Sequence, residues 1–97
     1  MDPATHAFLF TVSDRFVIEG RGLILAPGIP DAATHVRKGE TLVFKLPAGK
    51  VFESSGWDIE MIGYRPGGQR LHATPILLRG IHPFDVPLGT EVFLKTG

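Results

Sequence analysis

The chain has 97 residues, 43% of them hydrophobic and 21% charged, and its 10 basic side chains balance its 10 acidic ones. This size and composition predict one ordered domain over residues 1–97 and exclude a largely disordered chain. Zero net charge excludes a protein that holds nucleic acid mainly through a large basic surface, and the absence of cysteine excludes disulfides and thiolate metal sites.

Short apolar stretches separated by glycine and proline predict β-strands in the first part of the chain. We expect strands at residues 7–12 and 16–18, and a third strand at 23–26 that ends at Pro27-Gly28. Residues 29–39 are predicted to form a loop, because they contain proline, aspartate and several small residues.

The second part of the chain continues the same pattern. Further strands are predicted at residues 41–46, 50–62 with a kink at 54–56, 71–78 and 91–94. Pro75 is unusual inside a strand, because proline cannot donate a ladder hydrogen bond. We expect Trp57, Phe44, Phe52 and Phe93 in the core, because aromatic side chains dominate small β cores.

No stretch of about ten residues has the apolar period of a helix, so the pattern predicts an all-β fold. Closing a small sheet into a barrel removes the exposed strand edges that promote aggregation. We therefore expect a small closed six- to seven-stranded antiparallel β-barrel of the Greek-key type.

Several short motifs occur in the order in which a known family has them. They are Phe8–Val12, Gly20-Arg21-Gly22, Arg37-Lys38-Gly39-Glu40, Ile59-Glu60-Met61 and Leu77-Leu78-Arg79-Gly80-Ile81. Taken together they resemble the second, β-barrel domain of elongation factor Tu and other translational GTPases, here as a stand-alone domain. The chain departs from that pattern at residues 27–30 and 71–75. It has no Gly-x4-Gly-Lys-Ser/Thr loop, so we expect that the chain itself binds no GTP.

The resemblance implies a set of RNA-binding positions. Glu60 matches the glutamate that, in the family, helps to line the pocket for the terminal adenosine of aminoacyl-tRNA. Gly20, Arg21 and Gly22 match the turn that approaches ribosomal RNA of the small subunit. Arg79 belongs to the motif that lies on the same side of the family's barrel.

Each of these positions also has a purely structural interpretation. Glu60 can face solvent, or pair with Arg21 or Arg79. The two turn glycines can serve a tight turn while the arginine between them covers the end of the barrel. Arg79 can pair with Asp85 or Glu60, because an arginine beside apolar strands usually lies next to a carboxylate.

A second candidate recognition site is the segment around Pro66-Gly67-Gly68. Tyr64, Arg65 and Arg70 flank this glycine-rich stretch. Loops carry recognition residues more often than strands do, so we expect these side chains to form a recognition tip.

These observations favour a non-enzymatic binding module that contacts the translation machinery: a tRNA 3′ end, ribosomal RNA, or a protein partner of the elongation factor. The alternative is a protein-interaction module, such as a regulator, an adaptor or a toxin-neutralising protein, that keeps the barrel without RNA binding. The four histidines, at positions 6, 35, 72 and 82, lack ligand-like spacing, and no catalytic constellation is evident, so we expect no metal, cofactor or catalytic residue. The lack of cysteine, of a membrane-length apolar run and of a signal peptide predicts a cytoplasmic protein without membrane contact.

Overall fold

The computed structural model describes residues 6–33, 36–59, 73–81 and 85–96. These residues form strands and turns and contain no α-helix. The strands are β1 (His6–Thr11), β2 (Asp14–Ile18), β3 (Gly22–Pro30), β4 (Leu42–Lys45), β5 (Val51–Ser54), β6 (Trp57–Ile59), β7 (Ala73–Leu78) and β8 (Glu91–Lys95). Each strand that the sequence predicted has a counterpart, and the predicted kink at 54–56 is the break between β5 and β6.

The strands pair antiparallel in two four-stranded sheets. The first sheet has the order β1-β8-β4-β5, and the second has the order β2-β3-β7-β6. The all-β prediction is confirmed. Eight strands are present where the sequence predicts six or seven, and no closed barrel is detected within the described ranges, because the ladders form two sheets and no ladder joins one sheet to the other.

The two sheets are connected at their corners by the chain itself. β1 runs into β2 through Val12 and Ser13 alone, and β5 runs into β6 through Ser55 and Gly56. Each of these segments lies at the edge of one sheet before its bend and at the edge of the other sheet after it. A strand that switches sheets makes a corner of the kind found where two packed sheets meet. At these corners the edges of the two sheets are therefore joined by the continuous chain, whereas in a closed barrel neighbouring strands would be joined by a ladder of hydrogen bonds.

The hydrophobic core lies between the two sheets. Its buried members are Leu9, Phe10, Val12, Leu23, Leu25, Ile29, Leu42, Phe44, Trp57, Ile76, Leu78, Val86, Val92 and Leu94. The predicted burial of Trp57 and Phe44 is confirmed, and the partly buried Phe52 stacks on Phe44 with ring centroids 4.8 Å apart. Phe93 lies outside this core, edge-on to Phe8 at 5.6 Å, because strand alternation directs its neighbours Val92 and Leu94 inward.

β3 is longer than its sequence pattern predicts. It runs from Gly22 to Pro30, so the expected strand end at Pro27-Gly28 is wrong, and so is the expected start of a loop at residue 29. The Ala26-Pro27 peptide bond is cis. A bulge at this point lets the strand continue and resume its pairing with β7.

The bulge also explains why a proline is tolerated in β7. The ladder pairs on its two sides are Leu25 with Ile76 and Ile29 with Thr74. Residues 26–28 of β3 therefore lie opposite Pro75 alone, at a point where the regular ladder is interrupted. Since proline has no N–H to donate, this is the position in the strand where its presence costs least.

Candidate functional site

The Gly20-Arg21-Gly22 motif forms the tight turn between β2 and β3. Ile18 pairs with Gly22, and the N–H of Arg21 donates to the carbonyl oxygen of Ile18 at 2.9 Å. Gly20 has a φ of 79° and open space around it, which suits the third position of a type II turn. Arg21 is exposed at the tip of the hairpin.

Gly22 brings this turn against the end of β7. A Cβ atom on Gly22 would lie 2.6 Å from the carbonyl oxygen of Leu78, closer than real Cβ atoms come to a backbone atom. The next β3 residue, Leu23, is paired with Leu78. Arg79 and Gly80, which follow Leu78 directly, therefore lie at the same end of the second sheet as the turn. The structure thus brings together two motifs that are far apart in the sequence.

Arg79 lies beside a carboxylate, although not the expected one. Its Nη2 is 3.6 Å from Oδ2 of Asp58, where the sequence suggested Asp85 or Glu60. Lys38 approaches the same oxygen at 3.3 Å. Asp58 lies within reach of Arg79 because β6 pairs with β7. This pairing places Asp58 opposite Leu77, which is two residues before Arg79. No sequence pattern indicates this group of Asp58, Lys38 and Arg79, because Lys38 reaches Asp58 from a separate turn.

The pKa of Asp58 is held below its ordinary value of 3.8. The main cause is the backbone N–H of Ile59, which donates to Oδ1 at 2.8 Å. The hydrogen bond from Lys38 and the positive charges of Lys38 and Arg79 act in the same direction, and partial burial opposes them. Asp58 is therefore a carboxylate that anchors two exposed cations at this end of the sheet.

An open pocket of about 420 Å³ lies beside the turn. Residues 19–22 form one side of it, and its other lining residues are all apolar: Val17, Ile18, Leu23 and Ile81. The pocket combines apolar surface with the glycine-rich backbone and an arginine. In the sequence Ile81 is only the last residue of the Leu77–Ile81 motif, and no pattern marks it as a site residue.

The remaining predicted site residues lie outside the described residues. This holds for Glu60 and for all three members of the predicted recognition tip, Tyr64, Arg65 and Arg70. The described part of the candidate site is therefore the turn at residues 20–22, Arg79 and the pocket beside them.

Within the described ranges, no three histidine, aspartate or glutamate side chains are grouped so that they could hold a metal ion. The same part of the chain contains no helix with the length and apolar character needed to cross a membrane. Comparison with protein-family models, with curated proteins and with solved structures found no significant match to this chain. The similarity to the second domain of elongation factor Tu therefore depends on the sequence motifs alone and stays a prediction.

Proposed function

We propose that this chain is a non-enzymatic binding module whose turn at residues 20–22 and Arg79 contact RNA of the translation machinery, either a tRNA 3′ end or ribosomal RNA. On this proposal the chain is a cytoplasmic relative of the second domain of elongation factor Tu, with that domain's Greek-key connections. The observation that carries the proposal is the proximity of the Gly-Arg-Gly turn to the Arg79-Gly80 end of β7.

The chemistry of this end of the sheet suits a nucleotide. Gly20 carries no side chain, and no described atom lies within 4 Å of the position its Cβ would take, so a phosphate can approach the turn backbone closely there, and Arg21 supplies a guanidinium next to it. The apolar lining of the adjacent pocket offers a surface against which a base can pack. A base stacked on a flat or apolar side chain gains roughly 1–3 kcal/mol, so one such contact would give only weak binding by itself.

The charges near the site set an upper limit on its affinity. The exposed cations Arg79 and Lys38 share the carboxylate of Asp58, and Glu19 lies beside Arg21 in the turn. Because these acids offset much of the positive charge, we expect few phosphates to be neutralised. Two such contacts with single-stranded RNA would give a slope of about −1.4 in a plot of log affinity against log salt.

Binding of aminoacylated tRNA and of ribosomes at low salt tests the proposal. Arg21→Ala and Arg79→Ala should each weaken binding by roughly three- to tenfold, since each removes one charge-assisted contact. Lys45→Ala is the matched control, because it removes the same charge from the opposite sheet. Equal affinities for the parent and the two arginine variants, or no binding by the parent at about 1 mM protein, would contradict the proposal.

A second candidate function is a protein-interaction module that has lost RNA binding. Zero net charge and several exposed large apolar side chains favour it, among them Phe8 at 55% exposure on the outer face of the first sheet. A salt titration separates the two functions. RNA binding should weaken steeply with salt, whereas apolar docking of a protein should change little.

A further inference from the structure

β2 is an edge strand of the second sheet, and it exposes large apolar side chains on both of its faces. Among the described strands it pairs with β3 alone. Phe16 is 48% exposed on one face and Val17 is 62% exposed on the other. An edge strand with this character is a template for pairing with another strand.

The backbone groups that point away from β3 follow from the turn. The carbonyl of Ile18 accepts a hydrogen bond on the hairpin side, so Ile18 faces β3. By the alternation of an antiparallel ladder, the N–H and C=O groups of Val17 and Arg15 then point outward. The outward N–H of Arg15 is already bound, since it donates to Oδ1 of Asp14 at 2.9 Å. Among the described residues, none forms a hydrogen bond with the outward groups of Val17, so Val17 is the residue assigned to pairing.

We propose that two copies of this chain associate through their β2 strands, antiparallel and centred on Val17. A two-fold axis at this position pairs the N–H of each Val17 with the carbonyl of the other. The second sheet of one copy and the second sheet of the other would then form one continuous sheet across the dimer. The Val17 side chains would meet on the face that lines the 420 Å³ pocket.

Charges in β2 and in the turn that follows it suit this register. With Val17 opposite itself, Arg15 lies level with Glu19 of the second copy, the first residue after β2, and this pair occurs twice. On the other face Phe16 lies opposite Ile18 of the second copy, which is an apolar pair. Arg15 also donates to the carbonyl of Val86 at 2.8 Å. Zero net charge adds no overall repulsion between the copies.

The opposite edge of the same sheet shows how such pairing is prevented. In β6 the N–H of Ile59 is bound by Oδ1 of Asp58 at 2.8 Å. The Nε1–H of Trp57 donates to the carbonyl of Glu40 at 2.7 Å, and Lys38 pairs with Asp58, so the turn around residues 37–40 lies against this edge. No corresponding cover from the described residues lies over Val17 in β2, which is why this edge is the one assigned to self-pairing.

Sedimentation velocity of the parent chain from about 10 µM to about 1 mM tests the proposal, since one strand pair gives a small interface and weak affinity. The parent should shift from monomer to dimer across this range. Val17→Lys and Val17→Glu should each raise the dissociation constant at least about tenfold, because like charges would then lie directly opposite each other. An equimolar mixture of the two variants should recover the dimer, since each Lys would then face a Glu.

Val17→Thr is the matched control, because it keeps the size, the β-branching and the N–H, and it should dimerise like the parent. Far-ultraviolet circular dichroism of every variant checks that the monomer is folded. A parent that stays monomeric throughout the range would overturn the proposal. So would a dimer that persists in Val17→Lys, or a mixture of the two charged variants that associates no better than either alone.

Discussion

Among the described glycines with a positive φ, Gly28 is the one whose replacement by alanine should destabilise the fold most. Gly28 lies in the β3 bulge with a φ of 104°, a conformation that residues with a side chain rarely adopt. A Cβ atom there would overlap the carbonyl oxygen of Thr74 and lie 2.5 Å from Cα of Pro75. Both obstructing groups are backbone, so only a separation of β3 from β7 can relieve the overlap.

The expected loss has two components. The unfavourable backbone conformation costs about 1–3 kcal/mol, and forcing extra volume into a packed position costs about 1–3 kcal/mol more. We therefore expect Gly28→Ala to lower the free energy of unfolding by about 2–6 kcal/mol, a large part of the roughly 5–15 kcal/mol typical of a domain. Gly49→Ala is the control: its φ is 98°, but no described atom lies within 4 Å of the added Cβ, so we expect only the backbone cost of about 1–3 kcal/mol.

Urea denaturation followed by tryptophan fluorescence measures both losses. Trp57 is the only tryptophan and is 2% exposed, so its emission reports on the core. The difference between the two variants isolates the steric contact between β3 and β7 from the effect of φ. Equal losses in Gly28→Ala and Gly49→Ala would refute the close packing of the bulge against Thr74 and Pro75.

Two further predictions concern the side chains that hold the edge at β6. The pKa of Asp58 is lowered in the folded chain, so its stabilising effect is present above its ordinary value of 3.8 and is lost as the pH falls through the lower folded value. Asp58→Asn should therefore be less stable than the parent near about pH 7, and urea denaturation should show that the difference in free energy of unfolding between the two narrows at about pH 3. A difference that stays constant with pH would contradict the anchoring by Lys38 and Arg79. Trp57→Phe removes the Nε1–H that donates to the carbonyl of Glu40 at 2.7 Å. Thermal unfolding followed by circular dichroism should show that the free energy of unfolding falls by about 1–3 kcal/mol. An unchanged stability would argue against that hydrogen bond.

The candidate site was predictable only in part. The Gly20–Gly22 turn could be read from the chain, because a glycine pair after an apolar run indicates a tight turn. Its proximity to Arg79 was expected from motif resemblance, and the pairing of β3 with β7 provides it. The ion pairs of Asp58 with Lys38 and Arg79 could not be predicted, because they join groups on different strands and turns whose spacing in the sequence carries no periodic signal.

Local patterns in the sequence were enough to determine that the chain is all-β and where most strands lie, because alternation and turn residues act over a few neighbours. The path of β3 past Pro27 was decided by the tertiary structure, since a bulge opposite Pro75 compensates for a residue that by itself signals a strand end. The same holds for the division into two sheets, which depends on which edges meet at the corners after β1 and β5. Which distant strands pair depends on how their apolar side chains are buried together in a shared core. No local stretch of the chain therefore determines this pairing.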